Sequence, residues 1–191
     1  MKRYILFAGC NGVGKSTLYQ TNDMFRNMPR VNMDEIVREF GSWKNETDAF
    51  KAGKIAVKKI KKYFEEGVSF NQEVTLCGNS IWNNILRARE LGYHIEMYYV
   101  GVNSVNIAKA RIASRVLKGG HGIPDADVER RFLESIRNLP KAIEFCDIVE
   151  IFDNTDSFER VARYEQGKCV LKVDSCPLWV PFCLDPRRSL P

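Results

Sequence analysis

The chain has 191 residues, 45% of them hydrophobic, and a formal net charge of +5. That is enough apolar material for one domain around one core and too little length for two, while so modest a charge suits anionic ligands without arguing for nucleic acid. Six cysteines (positions 10, 77, 146, 169, 176 and 183) without a C-x-x-C pair, beside only two histidines, exclude a zinc site at usable spacing.

In chain order, the first apolar run is Tyr4 to Ala8, read as a strand and too short for the core of a secretory signal. No stretch approaches the length that spans a bilayer, so a soluble, cytoplasmic protein without membrane contact is expected. Gly9-Cys10-Asn11-Gly12-Val13-Gly14-Lys15-Ser16, followed by Thr17, fits G-x-x-x-x-G-K-[ST] at every fixed position, directly after that strand and running into a helix from Ser16 to about Gln20. The glycines let successive backbone N–H groups curl round a phosphate, Lys15 brings a charge to the outer phosphates, and the Ser16 hydroxyl suits Mg2+. ATP and Mg2+ are therefore the expected cofactors. Small-molecule kinases, polynucleotide kinases, GTPases and motor-type ATPases all share this loop, so it does not name the reaction.

A second strand, Arg30 to Met33, ends on Asp34. At the carboxyl edge of a parallel sheet Asp34 has two readings: a base that takes the proton of an acceptor hydroxyl, or the N-cap of a helix from Glu35 to Phe40. The longest expected helix, Glu46 to Glu66, places Phe50, Ile55, Val57, Ile60 and Phe64 near helical spacing and stops at Gly67. Its lysines, Lys51, Lys54, Lys58, Lys59, Lys61 and Lys62, have no interleaved aromatic residues and read as a solvated face. A third strand, Ser69 to Leu76, carries Glu73 and Thr75. A carboxylate inside an apolar strand needs a partner; Glu73 would hold substrate hydroxyls or metal-bound water, or else face solvent on an edge strand.

Further on come a helix from Ser80 to Leu91, a strand from His94 to Val102, and helices from Ser104 to Leu117 and from Asp125 to about Asn138, ahead of Pro140. The last two bracket Gly119-Gly120-His121-Gly122 and bring Arg111, Arg115, Arg130 and Arg131, either as a phosphate-clamping lid over residues 111–131 or as surface arginines. His121 either steadies that turn or touches a ligand. After the strand Asp147 to Phe152, Asp153 reads as a metal-linked aspartate or the Asn154 segment as an adenine-contacting turn, the second being favoured. Residues 168–191 read as a strand, Cys169 to Val173, and a proline-rich tail packed on the same domain. Strands alternating with helices imply an α/β, three-layer P-loop NTPase fold with a mostly parallel central sheet and a helical lid, with residues 1–167 as the kinase domain.

This ordered set, Gly9 to Thr17, Val31 to Asp34, Glu73 to Leu76, Gly92-Tyr93, Arg115-Val116, Gly119 to His121, Arg130 to Phe132 and Phe152 to Asn154, resembles the zeta-toxin family of P-loop kinases. The resemblance covers roughly residues 3–165. It implies ATP-dependent phosphorylation of a hydroxyl of UDP-N-acetylglucosamine, an activity that in this family poisons cell-wall synthesis, and leaves room for an antitoxin partner. Carried over residue by residue, Lys15 and Ser16 hold ATP and Mg2+, Asp34 is the catalytic base, Glu73 and Thr75 bind the sugar nucleotide, and Arg115 with Arg130 or Arg131 clamps the phosphates. Asn11, Gly12, Val13, Gly14, Thr17 and Asn154 complete the expected ATP site. The family's toxins show E-G-T where this chain has Glu73-Val74-Thr75, and their paired arginines sit in another local setting.

Overall fold

A computed structural model describes residues 1–174, 176, 177, 179 and 180. The expected proline-rich tail beyond them, with Cys183, lies outside the described residues. In chain order the elements are β1 (Arg3–Ala8), α1 (Lys15–Gln20), α2 (Asp23–Arg26), β2 (Arg30–Val31), α3 (Met33–Arg38), α4 (Glu46–Glu66), β3 (Phe70–Val74) and α5 (Ser80–Glu90). Then follow β4 (His94–Gly101), α6 (Val105–Leu117), α7 (Asp125–Phe145), β5 (Ile148–Asp153), β6 (Glu159–Glu165) and β7 (Lys168–Lys172).

They build one seven-stranded sheet in the order β2-β3-β1-β4-β5-β6-β7. The first five strands are parallel; β6 and β7 turn back antiparallel at one edge. The central strand β1 is apolar on both faces, as a strand covered by helices on both sides must be. Tyr4, Leu6 and Ala8 pack with Ile60 and Phe64 of α4, Ile85 of α5, and Leu139 and Ile143 of α7. Ile5 and Phe7 face the other way, onto Leu18, Phe25, Ala108 and Ile112 of α1, α2 and α6. Helices on both faces of a mostly parallel sheet make the expected three-layer α/β architecture. Among the described residues no helix is long and apolar enough to cross a membrane.

Several elements differ from expectation, among them the short helix α2, which Asn22 caps. The strand before Asp34 ends at Val31, because the Asn32 side chain accepts from the backbone N–H groups of Asp34 and Glu35 and starts α3. Asn32 is thus the N-cap, and Asp34 sits in the first helical turn. In α4 the buried stripe is Ala52, Ala56, Ile60 and Phe64, whereas Phe50 and Val57 are about two-thirds exposed at 66% and 65%. The two alanines let the helix lie close to the body, and the larger residues turn outward. Helix α7 does not stop before Pro140 but runs through it to Phe145; the proline removes one helical hydrogen bond, and the buried Leu139, Ala142 and Ile143 around it hold the helix on the sheet. Strand β6 was not anticipated, since only Val161, Ala162 and Tyr164 are buried in a segment otherwise charged.

Candidate active site

The carboxyl ends of β1, β3 and β4 lie level, with Phe7 opposite Glu73 and Ala8 opposite Val74 and Tyr99. The loop from Gly9 to Gly14 leaves β1 at that edge and enters α1. Its sharp turns require glycine: Gly12 has φ of 81° and its missing Cβ would meet the Ala108 carbonyl, and Gly14 caps α1 with φ of 105°. Lys15 is 5% exposed and donates to the Cys10 carbonyl at 2.8 Å, 3.9 Å from Glu73 Oε1. An ammonium held there on a ring of backbone groups is placed for an anion.

Glu73 is the hub of the site. Its Oε2 accepts from Arg30 Nη2 at 2.7 Å, Asn32 Nδ2 at 2.9 Å and Ser16 Oγ at 3.0 Å. With β2 pairing outside β3, Glu73 is not on an edge strand, so the solvent-facing reading is corrected. Arg30 escaped the sequence reading. It is nearly enclosed, lies 3.6 Å from the Tyr19 ring centre, donates to Glu35 and ties β2 to β3, α1 and α3. No local pattern marks such a residue; only the pairing of β2 with β3 reveals it.

Two cavities meet at these side chains. One, of 320 Å3, is lined by the loop from Asn11 to Thr17, Asp34, Glu73, Arg111, Arg115 and Asn154. The other, of 360 Å3, shares Asn11, Lys15, Asp34 and Glu73 and continues past Thr75, Trp43, His121 and Arg131. Ser16, Asp34 and Glu73 offer hard oxygen donors at the first cavity, a set that fits Mg2+ on a phosphate chain. Among the described residues no cluster of three or more His, Cys, Asp or Glu forms a ready-made metal site.

The expected arginines separate. Arg115 donates twice to the His121 carbonyl, at 3.1 and 2.6 Å, and comes within 3.8 Å of Asp34. Arg131 donates to Asn11 Oδ1 at 3.2 Å. Arg130 is half-exposed, pairs with Asp127 and Glu134, and lines neither cavity. Arg111 lines the first cavity instead, one turn before Arg115 on the same face of α6. Its Nη2 donates to the Thr155 carbonyl at 3.0 Å, and its enclosed Nη1 has no hydrogen-bond partner among the described residues. The i, i+4 spacing of the two arginines was the signal for it.

Asn154 Nδ2 donates to the Val13 carbonyl at 2.8 Å, bracing the loop, and also lines the first cavity. Asp153 spends its carboxylate on Trp179, at 2.6 Å, and on Thr155, and it lines neither cavity; a metal role for it finds no geometry here. Thr75 falls just beyond β3. The next residue, Leu76, is fully buried at φ of 60°, where a branched side chain is strained, and Asn138 Nδ2 holds its carbonyl at 2.8 Å. That kink turns Thr75 and Cys77 into the second cavity. His121 stacks on Trp43, ring centres 4.5 Å apart. Burial lowers the His121 pKa from its ordinary 6.5; Asp34 opposes the shift and Arg115 and Arg131 add to it, which favours a neutral ring.

No known family profile matches the chain. An uncharacterised protein of Haemophilus influenzae is 33% identical over 128 residues, covering 67% of this chain and 91% of that protein. Among solved structures, that of AvrRxo1-ORF1:-ORF2 with ATP covers 100% of this chain with a TM-score of 0.75 at 13% identity, and the match spans 66% of that chain's length, just under two thirds. A structure from the PezAT chromosomal toxin-antitoxin system of Streptococcus pneumoniae covers 94% of this chain and 76% of its own (TM-score 0.61, 15% identity). A putative kinase from Chloroflexus aurantiacus covers 70% and 80% (TM-score 0.54, 17% identity). At these identities the likeness shows the fold, that of the P-loop kinases.

Proposed function

Because the chain belongs to the family of the Haemophilus influenzae protein and has the P-loop kinase fold, we propose that it is an ATP- and Mg2+-dependent kinase acting on a hydroxyl of a UDP-N-acetyl amino sugar. The observation that carries this reading is the pair of carboxylates, Asp34 and Glu73, lining both the cavity at the phosphate loop and the one beside it. A loop that binds nucleotide for hydrolysis alone has no need of a second, polar-walled cavity across a carboxylate from the phosphates.

In this reading the loop amides and Lys15 hold the β- and γ-phosphates of ATP. Mg2+, when bound on the Ser16 side, neutralises phosphate charge. Asp34 aligns the acceptor hydroxyl and takes its proton as the new O–P bond forms and the bond between the γ-phosphorus and the β,γ-bridging oxygen breaks, releasing ADP. Glu73 and Thr75 orient the sugar. Arg111 and Arg115 stabilise charge on the phosphoryl group in transfer, and Arg131 acts one step back by holding Asn11. With ATP as donor, a cytoplasmic location belongs to the same proposal. The PezAT structure comes from a chromosomal toxin-antitoxin system, and an antitoxin partner belongs to the same proposal.

The test is an acceptor screen with γ-labelled ATP and separate pools of sugar nucleotides, small metabolites and 5′-hydroxyl oligonucleotides. Label on a UDP-amino sugar is the expected result. Label confined to oligonucleotides would make the protein a polynucleotide kinase, and ATP binding with no labelled product from any pool would make it a nucleotide-gated binding protein.

A further inference from the structure

The outward face of α4 carries two large apolar side chains that the described fold leaves uncovered. Phe50 and Val57 are exposed and stand two turns apart, about 10 Å along the helix. Ala49 and Gly53 keep the surface beside them low, and a shallow groove of 580 Å3 runs along Ala49, Phe50, Gly53, Lys54, Val57 and Lys58. None of these residues lines the two cavities at the glycine-rich loop. The spacing of Phe50, Gly53 and Val57, three residues then four, is that of a seam against which a second helix packs. Glycine disfavours the middle of a helix, and a Cβ at Gly53 would meet nothing closer than Met33 Cε at 4.0 Å. The chain's own packing therefore does not require this glycine, and its missing side chain leaves the groove open.

The lysines of α4 do not share one environment. Lys59, Lys61 and Lys62 pair with Glu39, Glu65 and Glu66, each at 3.7 Å, and Lys51 lies over the Phe40 ring. Lys54 and Lys58 are exposed one turn apart along one edge of the groove. Lys54 Nζ rests 4.4 Å from the Phe50 ring centre, and neither lysine pairs with a carboxylate among the described residues. The chain thus supplies carboxylates to the lysines further along the helix and none to the two beside the groove.

We propose that this groove docks an acidic amphipathic helix of a partner protein. Its apolar residues seat between Phe50 and Val57 over Gly53, and its carboxylates meet Lys54 and Lys58. The net charge of +5 favours the approach of such a partner. A second copy of the chain suits the groove badly, because two such faces packed together set lysine against lysine. A nucleic-acid backbone would take up the lysines and leave Phe50 and Val57 without apolar cover. The inference goes beyond the kinase reading and does not rest on it.

The probe is a fluorescently labelled peptide of about 20 residues, long enough to hold helical form, with leucine at the heptad a and d positions and glutamate beside them. Its controls are the same composition in scrambled order and a copy with lysine for glutamate. Fluorescence anisotropy with the full chain is expected to show the acidic amphipathic peptide binding about tenfold or more tighter than either control. Phe50→Ser, and Lys54→Glu combined with Lys58→Glu, are each expected to weaken it about tenfold or more. Both change exposed positions, so their urea midpoints should stay at the parental value. Gly53→Leu is expected to raise the urea midpoint, since leucine favours helix, and to weaken the peptide by filling the groove; a glycine needed only by the fold would show the opposite midpoint shift. Parental affinity in either of the first two variants, or equal binding of the peptide and its controls, would overturn the proposal. Dimerisation of the parent in sedimentation velocity that Phe50→Ser abolishes would overturn it in favour of a second copy. Binding of a labelled oligonucleotide that the lysine variant weakens, with no binding of the peptide, would overturn it in favour of nucleic acid.

Discussion

Arg111 and Arg130 carry the same charge nineteen residues apart, yet only the first lines the cavity at the glycine-rich loop. In the proposed mechanism Arg111→Ala lowers kcat about 100-fold or more, in the range found when a transition-state donor is removed, whereas Arg130→Ala leaves it within about twofold, since an exposed ion pair contributes little. Steady-state kinetics on the two variants side by side checks the assignment. Lys15→Ala should abolish Mg·ATP binding outright, which calorimetry reads directly.

His121 supplies a pH test at the same scale. Its folded pKa lies below 6.5, chiefly from burial. Folding therefore favours the neutral ring: the contribution is complete above about pH 6.5 and is lost as pH falls through the folded value. Urea midpoints measured from about pH 8 down to about pH 5 should show the gap between the parent and His121→Gln closing on the acid side. A constant gap would mean that the ring titrates alike in both states.

Among the elements, α4 shows what periodicity can and cannot tell. Its limits, Glu46–Glu66, are those that Gly67 and the apolar spacing predict. Its buried face is another matter, because a reading weighted by side-chain size chooses Phe50 and Val57 over Ala52 and Ala56. Close approach to a neighbouring element selects small residues, and neither period nor hydropathy records that approach. Ile60→Ala should cost about 2–5 kcal/mol, as for a buried isoleucine, and Val57→Ala less than about 0.5 kcal/mol, as for a surface position; urea denaturation separates them. Pro140 misled in the same way: the rule that proline ends a helix is local, and burial along α7 outweighs one lost hydrogen bond.

At the scale of the whole molecule, the five parallel strands, the longer helices and the glycine-rich turn between β1 and α1 were legible in the chain, because they rest on short-range patterns. Asp34, Glu73 and Lys15 were legible as candidates for the same reason. What joins them was not. Arg30, Asn32, Asn138 and the Leu76 kink act across strands and helices that only the sheet order brings together, and β6 is written in charged residues whose strand character comes from pairing with β5. The account as a whole depends on Asp34 standing between a nucleotide on the loop and a hydroxyl in the next cavity. Single-turnover transfer from γ-labelled ATP to UDP-N-acetylglucosamine, compared in the parent protein and Asp34→Asn, tests this most directly. The account predicts Mg·ATP binding within about twofold of the parent and transfer slowed about 100-fold or more; transfer by Asp34→Asn at the parental rate would contradict it.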